Sequence, residues 1–171
     1  LLKSFNTLQL ADAVLDSAKL AAAHPGYATQ LAVIGPTQSG KSTLVNALLD
    51  TDVAGISALA GFTVHAQGYA TGCSEDQLIT LQQVMSPLVR TAATQLDAKE
   101  LNSYALESVV AGTKAIDVPC VVWDTPDFDS IDASTYTLAV LNTVALADVI
   151  VLMVSKDKYG DKSVWDMLSV I

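Results

Sequence analysis

One short segment carries residues whose types and spacing suit phosphate chemistry. Residues 35–42 read Gly-Pro-Thr-Gln-Ser-Gly-Lys-Ser, which is a complete G-x-x-x-x-G-K-[ST] phosphate loop. The backbone N–H groups of such a loop form a nest for phosphate oxygens, and the following helix directs its positive end at the same anion. Lys41 can reach the β- and γ-phosphates of a nucleotide, and the Ser42 hydroxyl can bind Mg²⁺. The segment therefore predicts a nucleotide-phosphate site.

The loop needs a strand before it and a helix after it, and the sequence supplies both. Apolar residues 31–34 predict the strand, and residues 42–49 predict the helix. This context favours a phosphate site over a chance match in an unrelated loop. The residues expected to line the cradle are Gly35, Thr37, Gln38, Ser39, Gly40, Lys41, Ser42 and Thr43.

Composition narrows the class of protein. The 171 residues, 51% of them hydrophobic, suffice for one domain with a sizeable core. The formal charge of −9 argues against a nucleic-acid-binding surface, which needs clustered Lys and Arg. Cys73 and Cys120 match no metal-ligand spacing, and a nucleotide site favours a reducing, cytoplasmic compartment with free thiols. No run reaches transmembrane length, so no transmembrane segment is expected, and peripheral membrane contact through sequence outside this chain stays open.

Strand-like and helical segments alternate along the chain, which predicts an α/β fold with a mostly parallel sheet and right-handed crossovers. Apolar spacing predicts a helix over residues 1–23, outside a minimal phosphate-loop domain. The expected division is a helical extension at 1–26 and a nucleotide-binding domain at 27–171. Further strands are expected at 63–71, 104–110, 117–123 and 149–154, and helices at 133–147 and 162–171.

The stretch between the second strand and residue 124 is longer than two strands need. Residues 75–100 have helical composition, with a possible break at Ser86-Pro87. A helical insertion near 72–102 is therefore expected. It is either a surface elaboration or an element that binds a partner or a second copy.

An acidic residue ends the buried strand at 117–123. Asp124 stands where phosphate-loop folds hold Mg²⁺, usually through water. The alternative is an ordinary strand-end aspartate that caps the turn before Pro126.

Two segments resemble a known family. Gly-Lys-Ser-Thr-Leu-Val-Asn-Ala-Leu-Leu at 40–49 and Asp-Thr-Pro at 124–126 are similar to the translation-factor-related (TRAFAC) P-loop GTPases, especially Era-like, septin-like and dynamin-like members. The resemblance covers residues 28–171 and implies a three-layer P-loop NTPase fold that binds GTP or GDP with Mg²⁺. It implies that Lys41 binds phosphate and that Ser42 and Asp124 hold the metal.

The resemblance also calls for a switch-I threonine as a second protein ligand of Mg²⁺. Thr63 is the candidate, because it follows a stretch of small residues and opens the second strand. It could equally be an ordinary strand threonine, with Thr51, Ser57 and Thr71 as competitors. Thr37 and Gln38 occupy loop positions that lie beside the γ-phosphate in the family. His65 could position water, but a solvated or structural histidine is the expected reading.

Two departures from the family pattern affect the expected activity. Asp127 replaces the switch-II glycine of D-x-x-G, so its carboxylate must point away from the phosphates, pair with a lysine or help to hold the metal. The guanine-reading N/T-K-x-D motif is missing, since Lys158 stands in place of its aspartate in residues 155–158. The sequence is therefore expected to stop after the fourth core strand, which leaves the sheet incomplete and the 149–154 edge exposed.

These features leave three functions open. The leading one is a GTP-binding switch domain that hydrolyses GTP with Lys41, Thr63 and Asp124 as catalytic residues. The second is an ATP-binding P-loop protein, and the third is a nucleotide-binding scaffold with weak catalysis because of Asp127. The extra N-terminal helix favours an assembly-coupled, dynamin-like protein with protein partners or self-association, which is an analogy at the level of the fold.

Overall fold

The computed structural model describes residues 2–24, 26–55, 63–112, 116–128 and 133–171. Within these residues the chain forms five α-helices and a six-stranded sheet. The helices are α1 (Leu2–Ala23), α2 (Lys41–Leu49), α3 (Glu75–Val84), α4 (Ala133–Leu146) and α5 (Lys162–Leu168). The strands are β1 (Thr29–Ile34), β2 (Gln67–Thr71), β3 (Val89–Arg90), β4 (Ser103–Ser108), β5 (Cys120–Asp124) and β6 (Val149–Leu152).

The sheet has the strand order β3-β4-β2-β5-β1-β6 and is mostly parallel. The pairs β1–β5, β1–β6, β2–β4 and β3–β4 are parallel, and β2–β5 is antiparallel. Parallel strands need crossover connections, which the helices provide. Since β1 lies between β5 and β6 and is parallel to both, the segments that leave the carboxyl ends of these three strands lie next to one another.

Alternating side chains divide the core between the two faces of the sheet. On β5, Val121 and Trp123 belong to the cluster that includes residues of α1, α3 and α4. Cys120 and Val122 belong to the cluster that includes Val45 of α2. Helices therefore cover both faces, and the expected three-layer α/β fold is confirmed.

The N-terminal helix packs on the same core as the rest of the chain. α1 lies along α4 and also contacts α3, and its Leu10 and Leu20 are buried. The same helix exposes Leu8, Val14 and Leu15. The division at residue 26 stays a prediction, but α1 contributes apolar side chains that cover one face of the sheet.

The helical character expected for residues 75–100, with a possible break at Ser86-Pro87, is wrong for the residues beyond Pro87. α3 begins with a capping box between Ser74 and Gln77 and ends at Val84, shortly before Pro87. Residues beyond Pro87 instead form β3, which pairs with β4, and a short 3₁₀ turn at Ala93–Gln95. A proline ring disfavours helix in the residue before it, and pairing with β4 then holds the following residues extended. The bounds of an insertion at 72–102 stay a prediction.

Other elements differ from the expected bounds by a few residues. The second strand begins at Gln67 rather than residue 63, β5 begins at Cys120 rather than residue 117, and β6 ends at Leu152. None of the helices in the described part of the chain is both long and apolar enough to cross a bilayer.

Candidate nucleotide-binding site

The phosphate loop connects the end of β1 to the start of α2. Gly35 follows Ile34 at a point where a side chain does not fit, because a Cβ atom would overlap the Met153 carbonyl oxygen and come within 2.6 Å of Ser39 Oγ. Gln38 and Gly40 have φ angles of 59° and 93°, in the left-handed region. Glycine adopts this region without strain, and the two positive angles turn the chain back into the helix.

The N-terminus of α2 faces the loop with its first amides available to a ligand. The residue before the helix is Gly40, which has no side chain to cap it, and the first intrahelical bond runs from Leu44 N–H to Gly40 O at 2.9 Å. The N–H groups of the first turn have no acceptor within an α-helix. The positive end of the helix dipole therefore points at the space that the loop encloses.

Lys41 is buried at the start of α2 and forms an ion pair inside the loop. Its Nζ atom contacts Asp127 Oδ1 and donates a hydrogen bond to the Pro36 carbonyl oxygen at 3.3 Å. Only 4% of the lysine side chain and 7% of the aspartate side chain are exposed. A charged amine in such a place needs an anionic partner, since burying an unpaired charge costs several kcal/mol.

Asp124 ends β5 directly beside the loop. It is opposite Val33 of β1 on one side and Gln67 of β2 on the other. Its Oδ2 atom accepts a 2.6 Å hydrogen bond from the Ser42 hydroxyl. The next residue fastens the strand end, because Thr125 Oγ1 donates to the Val33 carbonyl oxygen at 2.9 Å. The sheet register thus brings Asp124 to Ser42 although 82 residues separate them.

The environment of Asp124 disfavours its charged form. Burial is the largest effect and raises the pKa of this carboxyl group to about 6 from its ordinary value of 3.8. The Ser42 hydrogen bond, the Lys41 charge and the Thr63 side chain act in the opposite direction, and the Asp127 charge raises the pKa further. A cation bound next to this carboxyl group would therefore stabilise its ionised form.

Thr63 lies next to the same carboxyl group. Its side chain acts on Asp124 as a hydrogen-bonding group, and its carbonyl oxygen accepts the Asp127 N–H at 3.3 Å. Asp124 Oδ1 nevertheless remains buried without a hydrogen bond of ordinary geometry within the described residues. The structure thus brings together Ser42, Thr63 and Asp124, the three side chains that the sequence proposes as metal ligands.

This oxygen-rich set fits a magnesium ion. Two hydroxyls surround one carboxylate whose Oδ1 atom lacks a partner, and Mg²⁺ prefers oxygen ligands with few protein carboxylates. Throughout the described ranges, this site included, no three His, Cys, Asp or Glu side chains gather in a way that could hold a metal, so the proposed ligands are one carboxylate and two hydroxyls.

The remaining loop residues lie around the cradle with different exposure. Gln38 and Thr43 are exposed, while Thr37, Ser39 and Gly40 are half-buried. The Ser39 hydroxyl oxygen is buried and has no hydrogen-bond partner among the residues described. Competing candidates lie elsewhere: Thr71 is at the far end of β2, Thr51 follows α2, and residue 57 lies outside the described residues.

His65 has a structural position. Its side chain is 1% exposed, and Nε2 lies 3.0 Å from the Glu100 carbonyl oxygen. That contact ties the segment before β2 to the turn before β4. Residues 155–158 form a turn after β6, where Lys158 and Asp161 make a partly exposed ion pair at 3.7 Å.

Met153 is a site residue that sequence reasoning missed. Its N–H donates to the Ile34 carbonyl oxygen at 2.8 Å, and its own carbonyl oxygen closes the space next to Gly35. Its position directly after β6, an apolar strand that neighbours β1, was the available signal. The side chain type carries no such information, because the backbone makes both contacts.

Residues 30–170 match the model of a protein family described as 50S ribosome-binding GTPase. Comparisons with curated proteins and with solved structures find no match. The family match spans most of the chain and includes β1, the phosphate loop, β5 and β6. On this match, and with the P-loop fold just described, the chain belongs to the 50S ribosome-binding GTPase family.

Proposed function

We propose that this chain is a GTP-binding switch domain that hydrolyses GTP with the help of Mg²⁺. The observation that carries the proposal is the meeting of Ser42, Thr63 and Asp124 beside the phosphate loop. Membership of a GTPase family supplies the nucleotide class. The geometry supplies one place where phosphate and metal would be bound side by side.

Phosphate binding would use the backbone of the loop together with Lys41. The uncapped first turn of α2 offers N–H donors, and the lysine amine would neutralise charge on the β- and γ-phosphates. Thr37 and Gln38 would lie beside the terminal phosphate. These groups act by position and charge, which is how proteins assist phosphoryl transfer.

The metal would be held by the hydroxyls of Ser42 and Thr63 and by the Asp124 carboxylate, with water between them where needed. Bound there, Mg²⁺ would offset negative charge on the phosphates. The charge of the metal would also stabilise the ionised form of Asp124, which burial disfavours. Thr63 would report on the nucleotide, because it stands next to both the metal site and the backbone of Asp127.

Hydrolysis requires water to attack the γ-phosphate in line with the leaving group. Residues 125–130 contain no glutamine to orient that water, and Asp127 puts a carboxylate where a glycine is expected. A slow intrinsic rate follows from both features. A catalytically weak, nucleotide-binding scaffold is therefore the second candidate, and the buried contact between Lys41 and Asp127 favours it.

The test compares Lys41→Ala with wild type in GTP turnover and in nucleotide binding. Loss of the buried amine is expected to reduce both by at least tenfold, because one of the main charge partners of the phosphates is gone. Lys162→Ala serves as the matched control, since that lysine is 90% exposed on α5. Equal turnover by Lys41→Ala and wild type would exclude the hydrolase, and tight binding without phosphate release by wild type would establish the scaffold.

The nucleotide-binding measurement also distinguishes guanine from adenine nucleotides. Unlabelled GTP is expected to displace a bound fluorescent guanine nucleotide, while ATP at equal concentration leaves it in place. Displacement by ATP at the same concentration would restore the ATP-binding alternative. Protein partners or self-association are part of the proposal as well, supported by the exposed apolar residues Leu8, Val14 and Leu15 of α1.

A further inference from the structure

Asp127 and Lys41 form the one ion pair in the described part of the chain in which both side chains are buried. They are 86 residues apart in sequence, and their contact joins the start of α2 to the segment that follows β5. Other ion pairs among the described residues, such as Lys19–Asp16 and Lys162–Asp166, join exposed neighbours on one helix. This pair is therefore a tertiary contact inside the candidate site.

The lysine amine cannot serve the aspartate and a phosphate chain equally. A nucleotide brings several negative charges to the amine, and the Asp127 carboxylate would then face them at short range. Repulsion between like charges is strong where water is excluded. The carboxylate must move away when phosphate arrives, or it must lower the affinity for phosphate.

Movement of Asp127 would change a hydrogen bond to Thr63. The Asp127 N–H donates to the Thr63 carbonyl oxygen at 3.3 Å, and the Thr63 side chain lies beside Asp124. The aspartate thus has its side chain on the phosphate-binding lysine and its main chain on the proposed switch-I threonine. One residue joins the two segments that are expected to respond to nucleotide.

We propose that Asp127 takes the place of the terminal phosphate in the nucleotide-free chain, so that a nucleotide must displace it from Lys41 to bind. Displacement removes the side-chain contact and releases the main-chain bond to Thr63. This inference rests on the proposed function, since it assumes that Lys41 binds nucleotide phosphate. Asp127 is then a residue that sets nucleotide affinity and couples it to the position of Thr63.

The first arm of the test needs no nucleotide. Thermal unfolding is measured for wild type, Lys41→Met, Asp127→Asn and the double variant in EDTA. Each single change is expected to lower the unfolding temperature, because it leaves a buried charge without its partner. The double variant is expected to lose less than the sum of the two, since neither member of this ion pair then remains charged without the other. Additive losses would show that the pair is absent in solution and would overturn the inference.

The second arm measures the dissociation constants of fluorescent GDP and of a non-hydrolysable GTP analogue with Mg²⁺. Asp127→Asn is expected to bind both more tightly, by about tenfold or more, and to gain most for the triphosphate. Asn keeps a similar volume and an acceptor oxygen but removes the competing charge. Asp117→Asn is the matched control, because it removes an exposed carboxylate before β5 and changes the net charge equally.

Each outcome decides one question. Equal affinities for Asp127→Asn and Asp117→Asn, or weaker binding by Asp127→Asn, would overturn the inference while wild-type binding upholds the proposed function. Binding by Asp127→Asn but not by wild type would support both. Failure of every variant and of wild type to bind either nucleotide would overturn the proposed function, and a coupled pair in the first arm would then mark a purely structural contact.

Discussion

At the scale of single residues, the site is a place where buried charges lack enough partners. Asp124 ends β5 and Asp127 lies in the segment after it, and Lys41 is the only cation that the structure places against them among the described residues. Ser42 satisfies one oxygen of Asp124 and leaves the other without a bond. Such an arrangement is expected where a protein sacrifices stability for binding.

Asp124→Asn is therefore expected to stabilise the nucleotide-free protein. The folded chain raises the pKa of this carboxyl group to about 6 from 3.8. The free energy of unfolding therefore falls as the pH rises through that interval, and it stays lower at higher pH because the buried carboxylate is then ionised. At neutral pH the variant should gain up to about 3 kcal/mol in the free energy of unfolding. The amide can still accept the Ser42 hydrogen bond.

Urea unfolding in EDTA at about pH 4 and at about pH 7.5 measures this effect. The gap between Asp124→Asn and wild type should be wide at the higher pH and narrow at the lower one. Asp117→Asn, at an exposed position, should show no such trend. A wild type that is the more stable protein at the higher pH would contradict the argument.

At the scale of elements, β2 and β5 meet across a glycine. A Cβ atom on Gly68 would lie 2.8 Å from the Trp123 ring and 2.9 Å from Leu106 Cδ1, so the indole lies directly over the backbone of β2. The indole N–H donates to Gln30 Oε1 at 2.8 Å, and Gln30 lies on β1. Trp123 thereby fixes three strands next to the residue that follows it, Asp124.

Gly68→Ala is expected to destabilise the protein by about 1–3 kcal/mol, because the methyl group must push the ring or Leu106 aside. Chemical denaturation measures the loss. Gly160→Ala is the control, since a Cβ there meets nothing within 4 Å. Equal stability of the two variants would show that the core yields more readily than its packing suggests.

The sequence predicts elements well where the signal is local and poorly where it is not. The strand, loop and helix from β1 to α2 follow from a contiguous pattern, and the helix break near Pro87 has its own signal. The pairing of β3 with β4 has none, because it depends on residues far apart in the chain. Similarly, the sequence allows the Asp127 side chain to point away from the phosphates, to pair with a lysine or to help hold the metal. Only the tertiary structure shows that it contacts Lys41.

At the scale of the whole molecule, the sheet has an open edge. β6 pairs with β1 and, among the described residues, with no strand on its other side. Val149 and Ile150 are 47% and 39% exposed there. Unpaired backbone groups beside apolar side chains invite another strand.

Ile150→Lys is expected to reduce self-association of this chain at high concentration, because a charge on an edge strand opposes pairing with a second copy. Sedimentation velocity over a concentration series measures it. Val110→Lys makes the same chemical change at a position that is 91% exposed outside β6, and it should leave association unchanged. Equal association by all three proteins would place any self-contact away from this edge.

The contact between Gly35 and Met153 connects the open β6 edge of the sheet to the phosphate loop. With no side chain at Gly35, the backbone of the phosphate loop rests directly on the backbone that continues β6. Two main chains in van der Waals contact cannot absorb a displacement by rotating a side chain. Any strand or partner that shifts β6, even by about half an ångström, would transmit that shift to the phosphate cradle without an intermediary.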